Sequence, residues 1–193
     1  LRAAIQASRE ANMPKENIAR AISKSEIDIN KSYENLRYEG FGPYNVALII
    51  ETLTDNKNRT ASNIRTILQK SGGRLGETGS TSHYFFVCGV LHIAKNKISD
   101  ETILELSINA GAKDCLSNSE YHEILTERED FYKIKNEIEK NIDNLLYSSI
   151  EWRPQNYLDI SKEESEAIIK MLETLEEDDD VQNTFVNCNI HIN

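Results

Sequence analysis

The sequence is poor in the residues that define specialised scaffolds. Three cysteines among 193 residues, Cys88, Cys115 and Cys188, are too few for a disulfide framework. Their odd number and wide spacing match no CxxC metal or redox motif, so all three are expected to be reduced. Three prolines and eight aperiodic glycines exclude a collagen-like or low-complexity chain. No window approaches the roughly 18 to 20 apolar residues of a membrane-spanning helix, and Arg2 and Arg9 sit among the first apolar residues without a cleavable signal pattern. A cytoplasmic protein is expected. His83, His92, His122 and His191 form no HExxH or other ligand pair, and no serine occupies a GxSxG elbow. Neither a zinc site nor a triad hydrolase has a basis here. The chain is expected not to be an enzyme, to need no cofactor or metal, and to have no small-molecule substrate or membrane partner.

What is present is enough for a core: 39% of residues are hydrophobic and 28% charged, which suits one domain or two small ones. With 22 Lys and Arg against 32 Asp and Glu, the net charge is −10 and the pI near 5.0. The charge is uneven. Within 1–24, Arg2, Arg9, Lys15, Arg20 and Lys24 face only Glu10 and Glu16. From Asp55 to Arg74, the cations Lys57, Arg59, Arg65, Lys70 and Arg74 face Asp55 alone. On a helix Arg59 and Arg65 lie about 240° apart, so this second patch reads as a solvated basic surface rather than one focused anion site. The acidic run Glu176-Glu177-Asp178-Asp179-Asp180 lacks the alternate spacing and glycine of an EF-hand loop. It reads as a solvated helix end, and because a helix C-terminus disfavours anions, a role in repelling nucleic acid is one reason to keep it.

Pattern along the chain predicts an amphipathic helical hairpin over 1–24, broken at Asn12-Met13-Pro14, with Leu1 already inside a helix and a segment expected upstream. Residues 25–36 read as a linker. Val46-Ala47-Leu48-Ile49-Ile50 is a buried strand, and Ala61, Ile64, Ile67 and Leu68 form a helical face stopped by Gly72-Gly73. A hairpin turning at Cys88-Gly89 is expected next, then a helix from Asp100 to Gly111 and strands near 113–116 and 121–126. A helical stripe from Phe131 to Leu145, a strand to Trp152, a helix opened by the capping box Ser161-Lys162-Glu163-Glu164 and a last strand near 181–190 follow. The expected fold is α+β: an N-terminal helical domain with linker over 1–36, then two α/β domains. One of these, of ferredoxin-like βαββαβ type, comprises 37–96 plus 158–193, and the other, 97–157, is inserted in it.

Two glycine-rich stretches could carry chemistry. Tyr38-Glu39-Gly40-Phe41-Gly42-Pro43 has GxG spacing, but Asn45 replaces the third glycine and a strand follows, so a dinucleotide fingerprint is not indicated. Gly72-Gly73-Arg74-Leu75-Gly76-Glu77-Thr78-Gly79-Ser80 lacks the Lys-Ser/Thr pair of a P-loop. It reads as a helix stop and tight turn, with backbone amides that could meet a nucleic-acid phosphate.

Together with Met13-Pro14-Lys15-Glu16-Asn17-Ile18, Arg37 to Pro43, Leu53-Thr54-Asp55-Asn56-Lys57-Asn58-Arg59-Thr60 and the closing Asp179-Asp180-Val181-Gln182, these stretches resemble the YebC/PmpR family. A mitochondrial relative of that family activates translation of cytochrome c oxidase subunit I. The resemblance covers essentially the whole chain, apart from the family's basic N-terminal segment. Pro43-Tyr44-Asn45 departs from it where members commonly have glycine after the proline. It implies three domains and a regulator of gene expression that binds duplex DNA, or alternatively a ribosome-associated translation factor contacting ribosomal RNA. An organelle-targeted homologue would act in the mitochondrial matrix. Candidate nucleic-acid contacts, from charge and motif, are Arg9, Met13, Pro14, Lys15, Arg20, Asn56, Lys57, Asn58, Arg59, Arg65, Arg74 and Ser80. Target sequence and oligomeric state are not indicated.

Overall fold

In the computed structural model, which describes residues 32–191, the first element is strand β1 (Glu34–Phe41). Half-buried Leu36 and Tyr38 alternate with exposed Asn35 and Arg37, the period of a sheet covered on one face. A single 3-10 turn, Pro43–Asn45, leads into β2 (Ala47–Thr54), which pairs with β1 antiparallel from Phe41 opposite Ala47 to Glu34 opposite Thr54. The linker expected over 25–36 therefore gives way to a strand at Glu34. Its polar residues conceal the strand because they lie along the less covered face and outer end. The helical hairpin expected over 1–24 lies outside the described residues.

Helix α1 (Lys57–Lys70) follows β2, and the two-residue strand β3 (Arg74–Leu75) returns to the free edge of β1. The chain then builds β4 (Phe85–Ala94), α2 (Asp100–Ala110), β5 (Asp114–Ser117), β6 (Tyr121–Glu127), α3 (Phe131–Glu139) and β7 (Tyr147–Pro154). It closes with β8 (Leu158–Asp159), α4 (Lys162–Glu176), β9 (Val181–Val186) and β10 (Cys188–Asn189), the short β8 and β10 pairing in parallel. Two four-stranded antiparallel sheets result, ordered β3-β1-β2-β9 and β5-β6-β4-β7.

The mixed α+β class is as expected, but the βαββαβ unit sits elsewhere. β4 pairs with β6 and β7, so the order β4-α2-β5-β6-α3-β7 with a β5-β6-β4-β7 sheet is the ferredoxin-like one. The outer sheet instead runs β1, β2, α1, β3, then α4 and β9. The two strands expected over 82–87 and 90–94 are the single strand β4, and it belongs to the second sheet, which moves the βαββαβ order there. No hairpin turns at Cys88-Gly89, since β4 passes straight through. Gly89 serves close packing: a Cβ there would lie 2.2 Å from Phe131 Cδ2 and 2.3 Å from Thr126 Oγ1.

Each sheet has a helix-covered core. Val46, Leu48 and Ile50 meet Ile64 and Leu68 of α1 and Ile168, Met171 and Leu175 of α4. Leu91, Ile93 and Ile124 meet Ile103 of α2 and Phe131, Ile134 and Ile138 of α3. The reverse side of the first sheet, Ala47 and Ile49, packs on Phe85 with Phe41, Trp152 and Phe185 around it, joining the two sheets. Each such aliphatic side chain, fully buried, contributes about 1.5–3 kcal/mol.

Candidate nucleic-acid interface

α1 begins where Asn56 caps it, its Oδ1 accepting the Arg59 amide N–H at 3.1 Å. Lys57 and Asn58 are exposed in the first turn. Arg59 folds back across the helix start: its Nη2 donates to both Asp180 oxygens at 2.8 Å and to Asp55 Oδ1 at 3.0 Å. Asp180 is 7% exposed, and the Thr60 and Thr54 hydroxyls lie 2.8 and 3.2 Å from its Oδ2. The Asp180 hydrogen bond, against a desolvation that works the other way, holds Arg59 above its ordinary pKa. Partial burial and the same carboxylate raise the Tyr38 phenol, which donates to Lys57 O at 3.1 Å.

The acidic run is thus not wholly a solvated helix end. Asp180 is turned inward, and Asp178 Oδ2 accepts from Asn63 of α1 at 2.8 Å. These carboxylates tie the approach to β9 onto α1. Of the expected contacts, Asn56 is occupied as a cap and the Arg59 charge is neutralised by two carboxylates. Exposed Lys57, Arg65 and Lys70 form no ion pair among the described residues. Arg74, also exposed, lies over the Phe41 ring at 4.5 Å and reaches Asn45 Oδ1 at 3.5 Å. Arg9, Met13, Pro14, Lys15 and Arg20 lie outside the described residues.

The glycine-rich loop after α1 is organised by Glu39, whose side chain is wholly buried. Its Oε2 accepts the Thr81 and Ser82 backbone N–H groups, each at 2.9 Å, and Arg37 Nε stands 3.3 Å from Oε1. Burial pushes the Glu39 pKa up, but the amides of Thr81, Ser82 and Gly79 and the Arg37 charge together hold it below the usual carboxylate value. Thr81 and Ser82 lie just past the Gly72 to Ser80 stretch; within it the Gly73, Gly76 and Ser80 amides donate to the backbone carbonyls of Leu68, Glu39 and Glu77, so these three are spent inside the fold. The Ser80 hydroxyl is buried, facing Gly76, where a Cβ would stand 2.3 Å from its Oγ. In the sequence Glu39 stands out only as part of the Tyr38 to Pro43 motif; its signal as a buried anchor is an acid placed directly before Gly40 and Gly42, where β1 becomes buried.

The helical layer over the first sheet is electrically split. α1 carries four cations and no carboxylate, whereas α4 beside it carries five glutamates and two lysines. Among the described residues no group of three or more His, Cys, Asp or Glu could hold a metal ion, and no helix is long and apolar enough to cross a membrane. All three cysteines are free, with burial pushing the Cys88 and Cys188 thiols up to about 11.

A two-sheet α+β protein with a polarised helical layer over its first sheet is the class these features define. A family model described as the second and third domain of TACO1/YebC proteins matches residues 33–188. The chain is 54% identical over its full length to a probable transcriptional regulatory protein of Pelagibacter ubique, covering 80% of that protein. It is 43% identical to one of Zymomonas mobilis, over 98% of this chain and 76% of that protein. The crystal structure of a conserved hypothetical protein of Aquifex aeolicus matches all of this chain and 80% of the other with a TM-score of 0.80 and 37% identity. The chain belongs to the TACO1/YebC family.

Proposed function

We propose that this protein is a non-enzymatic regulator of gene expression that binds nucleic acid, duplex DNA in the first instance. The observation that carries the reading is α1, whose exposed Lys57, Arg65 and Lys70 form no ion pair among the described residues, on a helix without a carboxylate in a chain of net charge −10. The names of the Pelagibacter and Zymomonas relatives support a regulatory role. Lys57, Asn58, Arg65, Lys70 and Arg74, with Arg9, Met13, Pro14, Lys15 and Arg20 of the basic stretch 1–24, supply the contacts, chiefly to phosphates. Arg59 and Asn56 hold the surface that presents them. Bacterial relatives suit a cytoplasmic location.

A second reading, a translation factor on the ribosome, is favoured by the acidic α4 beside α1. Phosphates spread along a long duplex would be repelled there, whereas local RNA contacts need only local positive charge. The test is duplex-DNA binding and ribosome co-sedimentation at one physiological salt concentration, with Lys57→Glu/Arg65→Glu and Lys15→Glu variants. Both variants should weaken binding and flatten its salt dependence, while exposed Lys133→Glu should do neither. DNA binding without ribosome association supports the transcriptional reading, ribosome association with weak DNA binding the translational one. Equal losses in all three variants would reduce the interface to bulk charge.

A further inference from the structure

Asp179-Asp180-Val181-Gln182, which closes the family resemblance, ends on a residue that the proposed interface does not use. Between β2 and β9 the register slips: Glu51 faces Asn183 but Thr52 faces Val181, so Gln182 is an extra, unpaired residue in a β-bulge. Bulges re-aim side chains and recur beside functional sites. Here the bulge opens a groove of about 340 Å³ across β1, β2 and β9, on the side of the sheet where Trp152 of β7 approaches.

The groove's chemistry is neutral and bifunctional. Each Glu51 oxygen already has a partner, Oε1 accepting from Trp152 Nε1 at 3.0 Å and Oε2 from Asn183 Nδ2 at 3.3 Å, which leaves the Asn183 carbonyl as an acceptor. The exposed carboxamides of Asn35 and Gln182 make no side-chain hydrogen bond among the described residues. Arg37 lies 5.0 Å over the Trp152 ring, with Nε directed at Glu39, so its terminal N–H groups and outer guanidinium face remain available. A phosphate is disfavoured where the one cation is matched by Glu39 and Glu51 lies alongside. A planar group with both donors and acceptors on its edge fits: guanidinium faces stack bases, and carboxamides and arginine read base edges.

We propose that this groove holds a single unstacked nucleobase, laid on the outer face of Arg37 and read by Asn35, Gln182 and Asn183. The proposal rests on the nucleic-acid reading above and adds base preference to what would otherwise be phosphate contact. The test uses the full chain and fluorescence anisotropy with labelled ten-nucleotide homopolymers of each base, as single-stranded RNA and DNA. An Asn35→Ala/Gln182→Ala variant removes two exposed side chains without internal partners and should keep the wild-type circular dichroism and melting temperature. The wild type should prefer one base, and the variant should lose about tenfold for that oligomer with its salt slope unchanged, as when base contacts but no phosphate contacts are removed. Loss on either sugar supports the site and identifies the sugar accepted. Binding with no base preference, or a preference the variant retains, overturns the groove and leaves the nucleic-acid reading standing. Failure of the wild type to bind any oligonucleotide, duplex or ribosome overturns that reading itself. Loss of ribosome co-sedimentation by the variant, with oligonucleotide binding intact, would mean a protein segment occupies the groove and would refute the base.

Discussion

Arg59→Ala separates a structural role for this arginine from a phosphate-binding one. The substitution leaves Asp180, 7% exposed, with only the Thr54 and Thr60 hydroxyls beside it. Breaking a fully buried ion pair from one side costs about 3–5 kcal/mol. The Arg59 side chain is 46% exposed, and solvent screening brings the expected cost down to about 2 kcal/mol. For a chain of this size that lowers the melting temperature by about 4–8 °C. Asp180→Ala should cost a similar amount. Because each change removes the same contact, the double variant should fall short of the sum by about 1–2 kcal/mol. Urea denaturation of the four proteins measures the cycle. Nucleic-acid affinity of Arg59→Ala, taken well below its melting temperature, should stay within about twofold of wild type, since losing one phosphate contact would flatten the salt slope by about one. Unchanged stability with a clear loss of binding would refute the reasoning and return Arg59 to the interface.

Three further outcomes are expected. Glu39→Gln should destabilise by about 1–3 kcal/mol at neutral pH by weakening the acceptor for two buried amides. Since folding lowers the Glu39 pKa, its stabilisation is present above the unfolded carboxylate pKa and fades as pH falls through the lower folded one; urea titrations from pH 7 to 3 should show a shallower acid loss in the variant. Gly89→Ala should cost about 1–3 kcal/mol by overpacking against Phe131, and Phe131→Leu should recover part of it, whereas a turn at 89 would give no such rescue on thermal melting. Mass spectrometry after iodoacetamide treatment at pH 7.5 should find alkylation at half-buried Cys115 and not at buried Cys88 or Cys188 until urea is added.

Local order was legible in the sequence wherever one residue pattern dictates one geometry. The Ser161 capping box forms as written, with both reciprocal hydrogen bonds in place. Asn56 caps α1, Gly111 ends α2 in a left-handed conformation, and the apolar stripes at 61–68 and 131–138 face their sheets. These depend on contacts a few residues apart, so the neighbouring sequence contains nearly all the information. The two basic patches and the acidic excess were equally visible, being sums over residues.

Pairing partners were decided only in three dimensions. β4 could join either sheet by its apolar pattern; it joins β6 and β7 because Gly89 admits Phe131 and Leu91 and Ile93 complete the core under α2 and α3. The same holds for charge: Arg59 and Asp180 each read as solvated, yet β9 brings them together over 121 residues of sequence, burying the carboxylate and pairing the guanidinium, which stays partly exposed. Glu39 and the groove at Gln182 share this origin, since a buried carboxylate and a bulge exist only once distant strands are in register. Sequence alone determined the helix caps and stripes, the charge and the family resemblance, because these are local or additive. Tertiary structure decided which charges reach solvent and which strands meet, because both follow from long-range contacts that no short window contains.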